Sequence, residues 1–86
     1  MASYRIEVSS TAERQIRKLD REDQIRVLSA ISRLASDPRP RGYRKLKGYE
    51  DVFRIRIGTF RVIYSIEKGA LLVLVLKVGH RRDIYR

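Results

Sequence analysis

Apolar and polar positions along the chain change their period several times, and each change predicts an element. Tyr4, Ile6 and Val8 alternate with Arg5 and Glu7, the period of a half-buried strand. Ser10 stands three residues before Glu13. This is capping-box spacing and predicts a helix from about Thr11. Ala12, Ile16 and Leu19 then share one helical face. Asp20 breaks that helix or caps the next one. For the second helix the expected core stripe is Ile25, Leu28, Ile31, Leu34 and Ala35, with Arg26 and Arg33 off it. Pro38 ends it, because Asp37 before the proline is steered away from helical angles. Two helices joined this tightly form an antiparallel hairpin.

From Val52 the period is two. Phe53, Ile55 and Ile57 alternate with Val52, Arg54 and Arg56. Gly58-Thr59 fits a two-residue hairpin turn. Phe60, Val62, Tyr64 and Ile66 follow in alternation, and Lys68-Gly69 makes a second turn. Ala70 to Leu76 is an almost unbroken apolar run, read as a central strand buried on both faces. The order is βααβββ in a single domain, residues 1–86. Helices that precede most strands imply an α+β fold. The expected architecture is a mostly antiparallel four-stranded sheet with the helical hairpin on one face. The first strand joins at an edge or beside the central strand.

Charge sharpens this picture. Twenty Lys and Arg against ten Asp and Glu give a net charge of +10. Residues 1–40 hold eight basic and six acidic side chains, net +2, whereas residues 41–86 hold twelve and four, net +8. Arginine outnumbers lysine, which favours planar, bidentate contact with phosphate. The expectation is a polyanionic partner. With no cysteine, disulfides and thiolate metal sites are unavailable. The opening MASYRIEVSS has no apolar signal-peptide core, and no apolar run approaches the ~20 residues of a membrane helix. A cytoplasmic protein with no membrane contact is expected.

Candidate chemistry follows from the simplest hairpin register. It sets Arg56 against Arg61 and puts Arg54, Arg56 and Arg61 on the face away from the helices. Like charges directly opposite on a sheet are unfavourable by up to ~1 kcal/mol. An anion lying across that face reverses the sign. Arg81 and Arg82 follow the last strand, with Tyr85 as a base-stacking ring or hydroxyl. His80 is the one side chain with an ordinary pKa near neutrality, a possible acid or base, or simply a surface histidine at a strand end. Lys45 and Lys47 lie in the basic loop 37–51 and are read as RNA-backbone contacts or as part of a solvated connector. No metal or other cofactor is expected. If the chain is an enzyme, it is a metal-free one acting on a phosphodiester, and the simplest such reaction uses the 2′-hydroxyl of RNA as nucleophile and leaves a 2′,3′-cyclic phosphate.

KLKG at 45–48, FRIRIGTFRVIY at 53–64 and VGHRRDIYR at 78–86, in that order on a βααβββ chain, resemble the RelE group of the RelE/ParE toxin superfamily. The resemblance covers nearly the whole chain. It implies the toxin of a type II toxin–antitoxin pair, a ribosome-dependent endoribonuclease that cuts mRNA in the decoding site. It further implies a RelB-like antitoxin, and operator DNA bound only through the toxin–antitoxin complex. By position, the family's strand arginine falls on Arg61, its C-terminal arginine on Arg81 and its C-terminal tyrosine on Tyr85. Its two strand basic residues fall on Arg54 and Arg56. In well-characterised members these are lysines, one of them proposed as general base, and a guanidinium is very hard to deprotonate. His80, a substrate-assisted route or a ribosomal group are the alternatives for that role. The antitoxin is expected on the helices, the basic face or both, with an amphipathic helix in a groove as the mode. Two other readings use the same residues: a ParE-like inhibitor of DNA gyrase on this fold, and a non-catalytic basic nucleic-acid-binding module.

Overall fold

The computed structural model of the chain describes residues 3–80. The elements are β1 (Arg5–Val8), α1 (Ser10–Arg17), α2 (Arg21–Arg33), β2 (Arg44–Lys45), β3 (Val52–Ile57), β4 (Phe60–Glu67) and β5 (Leu72–His80). They build one five-stranded sheet in the order β1-β5-β4-β3-β2. All neighbours are antiparallel except β1 and β5. The α+β class and the helix positions match the sequence reading. The fifth strand is β2, a two-residue pairing inside the basic loop.

The expected central strand is corrected. β4, not β5, is the middle strand, and Arg61, Val62, Ile63 and Tyr64 are buried along it on both faces. β5 has only the short β1 beyond it, so Leu72, Leu74 and Leu76 are only half-buried while Val73, Val75 and Val78 are core. The unbroken apolar run conceals an alternation, because leucine is used on the side that carries less cover.

Both helices lie on one side, α1 over β5 and α2 over β3 and β4. The α1 N-cap is Ser9, one residue earlier than expected: its Oγ accepts from the Ala12 N–H at 3.1 Å and donates to the Leu76 carbonyl at 2.9 Å. One hydroxyl thus starts the helix and ties it to β5. Ala12 and Ile16 are buried as expected.

The α2 stripe is also corrected. Val27, Ile31 and Leu34 face the core, whereas Ile25 and Leu28 are 61% and 47% exposed. Gln24 explains the rotation. Its Nε2 donates to the Ile16 and Arg17 carbonyls at the end of α1, at 3.0 and 3.2 Å. This turns the Gln24, Val27, Ile31, Leu34 row inward at helical spacing. Beyond α2, the Tyr64 hydroxyl donates to the Pro38 carbonyl at 2.8 Å and anchors the loop to the sheet. Burial pushes the Tyr64 phenol well above its ordinary pKa, with Arg39 pulling weakly the other way. No described helix is long and apolar enough to cross a membrane.

Candidate nucleic-acid interface

The site grows from the β3–β4 register, which is the one expected: Ile57 faces Phe60, Arg56 faces Arg61 and Ile55 faces Val62. Gly58 turns the hairpin with a φ of +60°, a conformation a side chain disfavours. Because side chains alternate across a strand, the odd residues of β3 enter the core under the helices. Arg54, Arg56 and Arg61 share the opposite face. Arg56 is exposed, Arg54 half-buried and Arg61 only 9% exposed. Burying a guanidinium costs free energy that must be recovered from bonds or fields around it.

A β-bulge completes the face. Tyr64 pairs with Val75 but Ile63 pairs with Lys77, so β5 carries one extra residue, Leu76, at this point. The extra residue reverses the alternation along β5. Val78 drops into the core at 1% exposure, and Lys77 emerges beside Ile63, exposed. The Gln15 side-chain oxygen of α1 accepts from the Val78 N–H at 2.7 Å and secures the turned segment. Gly79 falls opposite Arg61, where it leaves the neighbouring place free of a side chain.

At the other edge, β2 sets Arg44 against Arg54 and Lys45 against Phe53. The helix-free face therefore carries two rows: Arg44, Arg54, Ile63 and Lys77 in one, Arg56, Arg61 and Gly79 in the next. Strands are ~4.8 Å apart and alternate residues ~6.7 Å along a strand. Five cationic side chains thus gather within a few strand spacings of one another.

The candidates distribute as follows. Arg54, Arg56 and Arg61 come together. His80 does not join them: it pairs with Phe60, on the core side, and their ring centroids are 4.6 Å apart. Lys45 points to the Phe53 side of β2 and is exposed, and Lys47 is exposed just beyond that strand. Arg81, Arg82 and Tyr85 lie outside the described residues. Sequence reasoning missed Arg44 and Lys77. Arg44 needed the β2–β3 register. Lys77 needed the bulge, whose one local signal is that unbroken alternation from Val73 and Val75 would carry Lys77, and not Val78, into the core. Among the described residues, no three His, Cys, Asp or Glu side chains gather as metal ligands do.

Residues 6–85 match the family model described as ParE toxin of type II toxin-antitoxin system, parDE. Toxin RelG of Mycobacterium tuberculosis is 32% identical over 84 residues, covering 96% of this chain and 97% of the relative. The chain belongs to the RelE/ParE toxin superfamily, on its RelE side. Solved structures of this superfamily share its fold. One is a chain of the archaeal RelE–RelB complex from Pyrococcus horikoshii OT3, with a TM-score of 0.83, 28% identity and coverage of 94% of this chain and 98% of that one. Another, from the RelBE2 toxin–antitoxin complex of Mycobacterium tuberculosis, has a TM-score of 0.80, 30% identity and coverage of 92% and 99%. Within this RelE-type chain, the two β3 residues on the helix-free face are Arg54 and Arg56. Its described lysine on the same face is Lys77, on another strand.

Proposed function

We propose that this RelE-type toxin is a ribosome-dependent endoribonuclease that cuts mRNA in the decoding site without a metal ion. The carrying observation is the two-row array of Arg44, Arg54, Arg56, Arg61 and Lys77 on the face away from the helices. RNA supplies the nucleophile. Its 2′-oxygen bonds to the adjacent phosphorus, the bond to the 5′-oxygen breaks, and the products are a 2′,3′-cyclic phosphate and a 5′-hydroxyl. The pentacoordinate transition state carries extra negative charge, which pre-placed guanidinium groups stabilise. Arg61, largely desolvated, pairs directly with Arg56 across the hairpin, and Arg54 lies in the adjacent row. Arg81 completes the charge clamp, and Tyr85 stacks on a base, as the family resemblance implies. A guanidinium does not take the 2′-hydroxyl proton, so the strand arginines act as charge stabilisers and the acceptor comes from another group.

The relatives whose structures are toxin–antitoxin complexes support a cognate RelB-like antitoxin for this chain too; operator DNA bound only by the pair is what the family resemblance implies. Action on ribosomes places the protein in the cytoplasm. The test is end-group analysis of mRNA from programmed ribosomes. Cuts in the decoding site ending in a 2′,3′-cyclic phosphate, abolished in Arg61→Ala, are expected. A magnesium-dependent 3′-hydroxyl product rejects the mechanism. Undiminished toxicity of Arg61→Ala with DNA damage turns the reading to gyrase.

A further inference from the structure

A groove of about 400 Å³ runs around the β2 edge of the sheet, lined by Ala30, Arg33, Pro40, Arg41, Gly42, Arg44 and Arg54 to Ile57. Its origin is local. β2 pairs with β3 only through Arg44 and Lys45. Before Arg44 the chain passes Gly42 at a φ of +90°, turns away, and leaves Ile55, Arg56 and Ile57, paired with β4 on one side, with no strand on the other. The gap between that stretch, α2 and the Pro40–Gly42 turn is the groove.

Its lining has a definite chemistry. Five of these residues are arginines, Arg33, Arg41, Arg44, Arg54 and Arg56, and no carboxylate is among them. Between the guanidinium groups lie Ala30, Pro40, Ile55 and Ile57, a floor without charge. Five like charges around one concavity repel one another, and low-dielectric walls focus their field into it. Arg44, Arg54 and Arg56 belong to the cationic rows of the sheet face as well. The groove is therefore continuous with the candidate cleavage face.

We infer that this groove is a second RNA subsite, which holds the sugar–phosphate backbone of nucleotides flanking the one cut on the sheet face. Arg33 and Arg41 bind phosphates there, and the uncharged floor takes a ribose or the face of a base. That the bound nucleotides flank a cut rests on the endonuclease reading, but the groove's affinity for RNA is measurable without cleavage. Continuity with the sheet face favours a single RNA strand over an acidic peptide, whose side chains need no such path.

The experiment uses the full chain and a single-stranded RNA of about ten nucleotides, a length within the span of single-strand sites. Each ribose is 2′-O-methylated, so the RNA cannot be cut. Binding is read by fluorescence anisotropy across a salt series. Arg33→Ala/Arg41→Ala is expected to lower affinity about tenfold and to reduce the log–log salt slope by about 1.4, two contacts at ~0.7 each. Arg14→Ala/Arg21→Ala removes the same charge from exposed sites on α1 and α2 outside the groove, and is expected to change affinity less than about twofold. Equal losses in the two double variants reduce the effect to net charge and overturn the subsite. So does unchanged RNA affinity, or a loss confined to a glutamate-rich peptide of similar length, which makes the groove a peptide seat. Wild-type protein that binds through the groove but leaves mRNA intact on ribosomes sinks the endonuclease reading and keeps the RNA subsite.

Discussion

Arg56 and Arg61 stand directly opposite each other across the β3–β4 hairpin, on the face away from the helices. Cross-strand like charges oppose folding, so this pair opposes the hairpin that displays it. Arg56→Thr is expected to raise stability by up to about 1 kcal/mol in urea titration, since it removes the repulsion and adds a β-branched residue. The same variant is expected to lower mRNA cleavage on ribosomes by about a hundredfold, the scale of losing one pre-placed charge donor. A variant that is both more stable and fully active assigns Arg56 no part in catalysis.

Lys77 reaches the same face only because Leu76 bulges out of the β4 ladder. Lys77→Ala is expected to cost about tenfold in cleavage, a smaller loss than at Arg61, because the ammonium is exposed and screened. Lys77→Arg is expected to restore most of that rate. Recovery with arginine shows that charge is what the position supplies; failure of arginine to recover it points to proton transfer by the amine.

Gln15 holds the segment after the bulge through the Val78 amide. Gln15→Ala leaves that part-buried N–H without its partner. Denaturant unfolding is expected to show a loss of about 1–3 kcal/mol. Hydrogen exchange at Val78 should accelerate more than at Val73, which lies before the bulge. Equal acceleration at both amides means that Gln15 supports the strand as a whole.

Two neighbouring positions on α2 test which face is buried. Val27 is fully buried and Leu28 is nearly half exposed. Val27→Ala is expected to cost about 1–3 kcal/mol by lost burial and cavity formation. Leu28→Ala should stay within about 0.5–1 kcal/mol. Equal costs contradict the rotation set by Gln24.

Tyr64 makes stability depend on alkaline pH. Its folded pKa is raised by burial, so the neutral phenol is the form the fold holds. That contribution is complete below the ordinary tyrosine pKa of about 10 and is lost as pH rises from there toward the folded value. Melting temperature should therefore fall more steeply above about pH 10 in the native protein than in Tyr64→Phe. The variant also loses the bond to Pro38 and starts about 1 kcal/mol lower at neutral pH. Parallel pH profiles for the two proteins remove Tyr64 as the source.

Local pattern was enough for much of this molecule. Period-two alternation from Phe53 to Tyr64 and a two-residue Gly58-Thr59 turn leave a single sensible hairpin register, and with it the shared face of Arg54, Arg56 and Arg61. Turn chemistry and alternation act between near neighbours, so they can be read along the chain. Tertiary contacts decided the rest. Gln24 bonding to the end of α1 chose Val27 over Leu28 for the core. β1 pairing in parallel left β4, not β5, in the middle. A bulge opposite Ile63 and Tyr64 lifted Lys77 to the cationic face and left His80 beside Phe60. Each of these depends on a partner far away in sequence, and a shift of one residue there exchanges the two faces of a strand.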